Sequence, residues 1–299
     1  MSASTTPPFG DFVQPFQVEA LGLRGRLVRI SDVATASAGG GRYPDDVARL
    51  LAATLALGAA LAGGLKYEGL FTLQAQGNGP VGLLMADLSS DGDVRGYARF
   101  DAERLAAAAP ESDDVPRLLG AGHLAFTVDQ GPDTDRYQGI TELTGATLAE
   151  CAQNYFRQSE QLETAIVLGA GAADEGALRS AAFVVQKMPD DGAVEDPEDA
   201  WREAAILTST LAVSELLDPG LGATDILYRL FHERGVRVFE TKPLRHACRC
   251  SQDRVERTLK SFPRDEIDEM RVDGKIIVTC EFCGTDYVFD DAGLDRLFS

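Results

Sequence analysis

The chain has 299 residues, of which 44% are hydrophobic and 25% charged, which is typical of a globular protein with one sizeable core and a smaller unit. The net charge is −19, with −2 in residues 241–299 and −17 in residues 1–240, so most of the surface would repel a phosphate backbone. We therefore expect no nucleic-acid partner. The chain begins without a signal-peptide pattern and contains no apolar run of roughly 18 residues, so we expect a cytoplasmic protein without membrane contact.

The first half of the chain alternates between strand and helix patterns. Leu23–Ile30 alternates polar and apolar residues like a strand with one buried face. Pro44 and the two aspartates after it open a helix with an apolar stripe, which ends at Gly63-Gly64. Segments 70–76, 81–87 and 94–100 have a period of two and short turns between them, which predicts an antiparallel meander. The pattern also predicts strands at 124–129, 137–143, 162–168 and 178–186, and a helix at 147–159.

This order of elements predicts an α+β fold with three parts. Strands in short-turn runs, interrupted by a few helices, indicate an N-terminal antiparallel-sheet domain over residues 1–189. The acidic stretch 190–199 marks its end. Two amphipathic helices at 201–217 and 225–233, separated by a Pro-Gly turn, predict a helical linker over residues 190–244. Residues 245–299 form a small C-terminal domain that holds four of the five cysteines.

Those four cysteines predict a metal site. Cys248 and Cys250 form one close pair, and Cys280 and Cys283 form a second pair after an interval of 29 residues. Two segments that each supply a pair of thiols are typical of a four-thiolate structural zinc site, and all-sulfur coordination selects zinc or an iron centre. We predict one zinc ion per chain at these four residues, with a positive φ at Gly284 in the turn after the second pair.

Disulfide bonds and buried free thiols fit the four cysteines less well than a metal does. A framework of disulfides belongs to small secreted chains, and this chain shows no export signal. Four reduced core thiols also fit poorly, because the Cys-x-Cys pair is too cramped for two independent core side chains. A permanent zinc ribbon remains an alternative at this point.

Other candidate sites carry weaker signals. The glycines at 169 and 171 predict a hairpin loop and not a dinucleotide site, because Asp174 replaces the third glycine and a strand follows. His123 and His232 lie in different elements without a catalytic spacing, so we expect structural roles and no enzymatic activity. His246, just before the first cysteine pair, is a candidate fifth or outer-shell ligand. Cys151 is expected to be a buried apolar residue and not a ligand.

Positive charge lies near the cysteines. A helix is predicted to start at Ser251, with its positive N-terminus towards Cys250. Cations near a four-thiolate site would stabilise its excess negative charge and keep the thiols deprotonated. The arginines that could do so are Arg245, Arg249, Arg254 and Arg257.

These segments resemble the redox-regulated holdase chaperones of the heat-shock protein 33 family. Residues 248–254 resemble the family's Cys-x-Cys-Ser-x-acid-Arg element, and residues 280–289 resemble its second zinc element. Further similar stretches lie at 66–69, 74–80, 95–99 and 155–161, so the resemblance covers nearly the whole chain. The chain departs from the family at Ala181-Ala182, where a Gly-Gly pair is usual.

The resemblance implies an ATP-independent chaperone that is inactive while reduced and zinc-bound. Oxidation would form the disulfides Cys248–Cys250 and Cys280–Cys283, release zinc, and unfold the C-terminal unit and the linker. The apolar surface that this exposes would bind unfolding client proteins, and the oxidised form would tend to be a homodimer. The alternative is a constitutive zinc-ribbon adaptor that binds a protein or nucleic acid and keeps its metal under mild oxidation.

The C-terminal unit has few core candidates, so zinc is expected to supply much of its stability. Structural zinc binding contributes about 10–16 kcal/mol, at least as much as the roughly 5–15 kcal/mol of a whole domain. Loss of thiolate ligands can therefore unfold such a unit. The predicted core residues are Val255, Leu259, Ile267, Ile277, Val278, Tyr287, Phe289, Leu294, Leu297 and Phe298.

Overall fold

The computed structural model describes residues 9–38, 41–108, 115–131, 134–173, 176–189 and 192–298. Asp174 of the predicted hairpin loop, and Asp190 and Asp191 at the predicted start of the linker, lie outside these ranges. The chain divides into two compact units, Met1–His246 and Ala247–Ser299. Within the described ranges, no helix is both long and apolar enough to cross a membrane.

The first unit contains twelve strands, eight α-helices and the short 3-10 helix Glu19–Leu21 among its described residues. The strands are β1 (Phe12–Val18), β2 (Leu23–Ile30), β3 (Leu70–Gly77), β4 (Val81–Ser89), β5 (Asp93–Phe100), β6 (Gly122–Asp129), β7 (Tyr137–Glu142), β8 (Thr164–Ala172), β9 (Leu178–Lys187), β10 (Arg237–Val238), β11 (Lys242–Pro243) and β12 (Arg245–His246). The helices are α1 (Asp32–Ala38), α2 (Asp45–Ala62), α3 (Ala102–Ala107), α4 (Val115–Leu118), α5 (Leu148–Gln158), α6 (Pro197–Ser209), α7 (Val213–Leu216) and α8 (Ala223–Phe231).

The strands form two sheets that both contact helix α2. Sheet A has the order β10-β1-β2-β9-β8, with β11 also paired to β1, and sheet B has the order β12-β5-β4-β3-β6-β7. All pairs are antiparallel except the short pair between β12 and β5. Helix α2 packs against strands of both sheets, and 14 of its 18 residues are buried. The predicted α+β class and the meander β3-β4-β5 are therefore confirmed.

Strand β2 is buried on both faces, so the prediction of a single buried face is wrong. Val28 and Ile30 belong to the core around α2, whereas Leu23 and Leu27 belong to a second core on the opposite face. The linker helices α6 to α8 cover that opposite face. Only Arg24 of the three arginines of β2 is exposed, while Arg26 and Arg29 are 4% and 0% exposed.

Strand β1 has no counterpart among the predicted strands, although it pairs along its whole length with β2. It contains Pro15, a residue that normally argues against a strand with neighbours on both sides. On its other side β1 pairs with β11 through Phe12 and Val13, and with β10 through Phe16 and Gln17. Pro15 thus lies between the two short partner strands, where its missing N–H interrupts no hydrogen-bond ladder with either of them.

The linker contains three helices where two were predicted. Helix α6 begins at Pro197, with the Asp196 side chain accepting a hydrogen bond from the Asp199 amide, and the helical pattern is interrupted between Ser209 and Val213. Leu207 is partly buried against the core on sheet A. Four further linker leucines are fully part of that core: Leu211, Leu216, Leu227 and Leu230. On the sheet beneath, Ala181 and Ala182 of β9 are fully buried.

The second unit is small and has a small core. It consists of α9 (Gln252–Leu259), α10 (Arg264–Glu269), the hairpin β13 (Ile276–Thr279) and β14 (Asp286–Phe289), and α11 (Asp291–Phe298). The prediction that Ile277 is a core residue is wrong, because Ile277 is 56% exposed and Ile276 is the buried residue of β13. Six side chains are buried in its core: Leu259, Ile267, Ile276, Phe289, Leu294 and Leu297.

Candidate metal centre

Two chain segments of the second unit bring the four cysteines together. Cys248 and Cys250 lie in the extended segment before α9, and Cys280 and Cys283 lie in the turn between β13 and β14. The four Sγ atoms all lie within 4.8 Å of one another. Two close approaches join the segments: Cys248 Sγ to Cys280 Sγ at 3.7 Å, and Cys250 Sγ to Cys283 Sγ at 3.4 Å.

The turn that carries the second pair is held by backbone hydrogen bonds. The Cys280 amide donates to the Thr285 carbonyl at 2.9 Å, and the Gly284 amide donates to the Cys280 carbonyl at 2.7 Å. Gly284 has φ +71°, which confirms the predicted positive φ. The amides of Phe282 and Cys283 donate to Cys280 Sγ. The turn therefore directs N–H groups at a sulfur, an arrangement that stabilises a thiolate.

The thiols of Cys250, Cys280 and Cys283 do not ionise alike. Burial and the neighbouring thiols raise the pKa of Cys250 to about 12, and burial also raises the pKa of Cys280. Burial acts to raise the pKa of Cys283 too, but hydrogen bonds from the side chain and backbone of Thr285 and from neighbouring thiols lower it to about 6. Thr285 Oγ1 lies 3.2 Å from Cys283 Sγ. Of these three thiols, Cys283 is therefore the one most readily deprotonated in the metal-free cluster.

The donor set fits a tetrahedral metal ion. Zinc–sulfur bonds of about 2.3 Å in a tetrahedron place the sulfurs about 3.8 Å apart, close to the two distances observed here. Four sulfur donors from paired cysteines are the ligand set of structural zinc sites. The cluster could therefore hold a metal ion through Cys248, Cys250, Cys280 and Cys283.

Thr285 and Tyr287 contact the cluster, although the sequence did not identify either as a contact. Thr285 contacts Cys283, and a hydrogen bond between the Tyr287 hydroxyl and the Cys250 thiol raises the pKa of Tyr287 to about 12. The available signal was their position: both are hydroxyl-bearing residues within a few positions of Cys283, where the turn leads into β14.

The remaining candidate residues lie elsewhere. Cys151 is fully buried in the core around α2, and burial raises its pKa to about 11. His246 lies on β12 of the first unit and is not a member of the described metal-binding group. His123 lies on β6, and His232 directly follows α8.

The arginines near the cysteines have identifiable partners. Arg245 lies on β12 and pairs with Asp93 at 2.5 Å in the first unit. Ser251 caps α9 by accepting from the Arg254 amide at 3.3 Å, which confirms the predicted helix start. The Arg254 guanidinium donates to the Arg249 carbonyl at 3.0 Å, and Arg257 donates to the Asp253 carbonyl at 3.3 Å. Through this hydrogen bond to Arg249, Arg254 stabilises the segment that carries Cys248 and Cys250.

Comparison with known proteins assigns the chain to a family. The model of the Hsp33 protein family matches residues 11–290. This chain belongs to the Hsp33 family. A "33 kDa chaperonin" from Caulobacter vibrioides is 42% identical over 297 residues, covering 97% of this chain and 98% of the relative. A "33 kDa chaperonin" from Pseudomonas fluorescens is 38% identical over 299 residues, covering 99% of this chain and 96% of the relative.

The fold agrees with this membership. The crystal structure of the 33 kDa chaperonin (heat shock protein 33 homolog) from Thermotoga maritima matches with a TM-score of 0.82 and 24% sequence identity. The match covers 96% of this chain and 97% of the Thermotoga chain. At that identity the match establishes the shared fold, while the family model and the curated relatives establish the chaperone family. The resemblance noted from the sequence is thereby confirmed.

Proposed function

We propose that this Hsp33 family member is a redox-regulated, ATP-independent holdase, inactive while its four cysteines are reduced and bound to one zinc ion. The observation that carries the proposal is the four-thiol cluster in a unit with only six buried core side chains. Such a unit is marginal without an added constraint. When bound, zinc would supply that constraint through Cys248, Cys250, Cys280 and Cys283.

The residues around the cluster prepare the thiols for oxidation. The low pKa of Cys283 favours its thiolate, the form that attacks a peroxide. A thiolate sulfur attacks one peroxide oxygen and becomes a sulfenic acid, and the other oxygen leaves as hydroxide. A second thiol then displaces hydroxide from that sulfur to form the disulfide. Each disulfide consumes one peroxide and two thiols and yields two waters.

The pairing of the disulfides decides whether oxidation loosens the unit. A Cys248–Cys280 bond would close a loop between residues 32 positions apart and would stabilise the folded unit. Bonds within each pair, Cys248–Cys250 and Cys280–Cys283, close only short loops and leave the two segments unlinked. We therefore assign the within-pair disulfides to the active form, in which the metal ligands are consumed and the unit unfolds.

Activation also involves the linker, whose apolar faces would bind clients once released. Leu211, Leu216, Leu227 and Leu230 are packed on sheet A, so loss of zinc alone leaves this packing in place. Mild heat would supply the remaining free energy for undocking. The linker and sheet A would then both present apolar surface to unfolding proteins, or to a second oxidised copy in a homodimer.

The test is light scattering from a thermally unfolding client enzyme in the presence of this protein. We expect peroxide-treated protein at mild heat to suppress aggregation at stoichiometric concentration, and the reduced zinc-bound protein to suppress it little. Cys151→Ser should behave like the wild type. Equal suppression by the reduced and oxidised forms would reject the redox switch, and retention of zinc after oxidation would favour a constitutive zinc-ribbon adaptor.

A further inference from the structure

A cavity in the first unit lies between the C-terminal end of α2, strand β2, strands β3 and β6, and helix α5. Its volume is about 400 Å³, within the range of small-molecule sites. Apolar and aromatic side chains dominate its lining, among them Leu61, Phe71, Phe126, Tyr155 and Phe156. The metal centre and the linker contribute no residue to this lining.

One wall of the cavity carries a buried cation. Arg26 is 4% exposed, and its one described hydrogen bond runs from Nη2 to Gln186 Oε1 at 2.5 Å. Its Nε is buried without a hydrogen-bond partner. In the described parts of the chain, no carboxylate forms an ion pair with Arg26. Burial and the nearby Arg24 lower the pKa of Arg26 to about 10, so the guanidinium stays charged at neutral pH.

The surrounding backbone is shaped around this guanidinium. A Cβ at Gly64, just after the end of α2, would overlap Arg26 Nη1. A side chain at this position would require the guanidinium to move. Burying an unpaired cation is costly, and buried charges in proteins are normally paired or bound to a ligand. In this cavity the described hydrogen-bond partner of the guanidinium is the neutral side chain of Gln186 and not a carboxylate.

The acid of the cavity is already engaged. Glu160 Oε1 accepts hydrogen bonds from the hydroxyls of Tyr137 at 2.8 Å and Tyr155 at 2.5 Å. Gly139 packs directly against the Tyr155 hydroxyl, where a Cβ would overlap the oxygen, so this triad is closely held. Arg24 and Arg26 give the lining two positive charges and Glu160 gives it one negative charge, and the resulting net charge of +1 matches a monoanion better than a dianion such as a phosphate. A single negative charge on an apolar body fits the cavity better.

We propose that this cavity binds an apolar monocarboxylate of the medium-chain fatty acid class. The carboxylate would accept hydrogen bonds from the Arg26 guanidinium, and the hydrocarbon chain would lie against Phe71, Phe126 and Phe156. Guanidinium and carboxylate match in a planar, two-point geometry, and charge-assisted hydrogen bonds of this kind are strong. The site is separate from the redox chemistry of the cysteines.

The test is isothermal titration of the reduced, zinc-loaded full-length protein with decanoate, and with decanol as the uncharged ligand of equal chain length. We expect one decanoate per chain, and decanol at least about tenfold weaker, as loss of a hydrogen bond to a charged group implies. Arg26→Met should weaken decanoate binding at least about tenfold and leave decanol binding unchanged. Arg99→Met, which removes an exposed arginine of β5 outside the cavity, should bind decanoate like the wild type.

A second variant covers the case in which Arg26→Met fails to fold. Leu65 lines the cavity and is 46% exposed, so Leu65→Trp can fill the cavity from its solvent side without removing a core contact. We expect Leu65→Trp to abolish decanoate binding while its thermal unfolding stays close to that of the wild type. The proposal is overturned if decanoate does not bind, if decanol binds equally well, or if the folded variants bind decanoate like the wild type.

Discussion

Arg29 of the central strand β2 donates a hydrogen bond from Nη1 to the carbonyl oxygen of Leu221 in the linker, with a distance of 2.6 Å. The same guanidinium donates from Nε to the Leu216 carbonyl at 3.1 Å, and Nη2 lies 3.4 Å from the Glu215 carbonyl. Arg29 is fully buried, and burial lowers its pKa to about 10, with Asp218 opposing the shift. One buried cation thus fastens the end of α7 and the turn before α8 to sheet A.

Arg29→Met should loosen the linker. The substitution keeps most of the apolar stem but leaves carbonyls of the linker without their donor, at a cost of roughly 2–4 kcal/mol. We expect faster hydrogen exchange across residues 213–231, and holdase activity at a lower temperature after oxidation. Arg24→Met, on the same strand but exposed, is the matched control and should change neither property. Unchanged exchange in Arg29→Met would show that the apolar packing alone holds the linker.

The role of Arg29 illustrates what the sequence did not reveal. The pattern in β2 predicted a strand correctly, but it predicted only one buried face, because a local pattern cannot show that the distant linker helices cover the face that carries Arg29. The prediction that Ile277, and not Ile276, is buried failed for the same reason. Two adjacent isoleucines do not show which of them faces the core until the partner of the strand is known. Pro15 similarly concealed β1, whose short partners come from residues 237–243.

Patterns that depend on local chemistry were predictable. Helix α2 begins at the acids after Pro44 and ends just before the glycines at 63 and 64, as predicted. Ser251 caps helix α9, and Gly284 has a positive φ, which are the roles that these residue types favour. The paired spacing of the cysteines predicted a cluster that the structure assembles. The contacts of Thr285 and Tyr287 with the thiols depend on how the turn folds, so spacing alone did not indicate them.

Metal content should distinguish the five cysteines. Cys280→Ser removes one of the four clustered thiols and should lose stoichiometric zinc, whereas Cys151→Ser should keep one zinc per chain, because Cys151 lies in the other unit's core. Metal analysis of the purified reduced variants checks this prediction. Zinc retained by Cys280→Ser, or lost by Cys151→Ser, would contradict the assignment of the ligands.

Cys151 should resist alkylation in the folded protein. Its pKa of about 11 lies above its ordinary value of 9.0, so at pH 8 only about a thousandth of it is the nucleophilic thiolate, and burial restricts access further. Iodoacetamide labelling of reduced, zinc-depleted protein, followed by peptide mass spectrometry, should modify the four cysteines of the unfolded second unit first and Cys151 last. Raising the pH towards 11 should increase the labelling of Cys151. Rapid labelling of Cys151 at pH 8 would show that its helix opens readily.

Removal of the metal should unfold the second unit selectively. Its six buried core side chains cannot replace the roughly 10–16 kcal/mol that structural zinc contributes. In reduced protein treated with a chelator, we expect hydrogen exchange to become fast across residues 247–298 and to remain slow in β2, β9 and α2. Restoring zinc should restore protection. Protection of residues 247–298 that survives chelation would mean that the small core folds without the metal.

The disulfide pairing can be mapped in the oxidised protein. We expect peptide mass spectrometry to find Cys248–Cys250 and Cys280–Cys283. These disulfides leave the two segments unlinked, as the unfolded active form requires. Cys248–Cys280 or Cys250–Cys283 as the main products would follow the close sulfur contacts between the two segments and would lock the folded unit. That outcome would contradict unfolding by oxidation.

The most direct test of the central claim follows zinc release, thiol loss and suppression of client aggregation over time in one peroxide-treated sample at mild heat. The redox-switch account predicts that one zinc is released per four thiols lost, and that holdase activity appears with or after zinc release and never before it. Reduction with added zinc should return the protein to its inactive form. Full holdase activity while all four thiols remain reduced and zinc-bound would contradict the account.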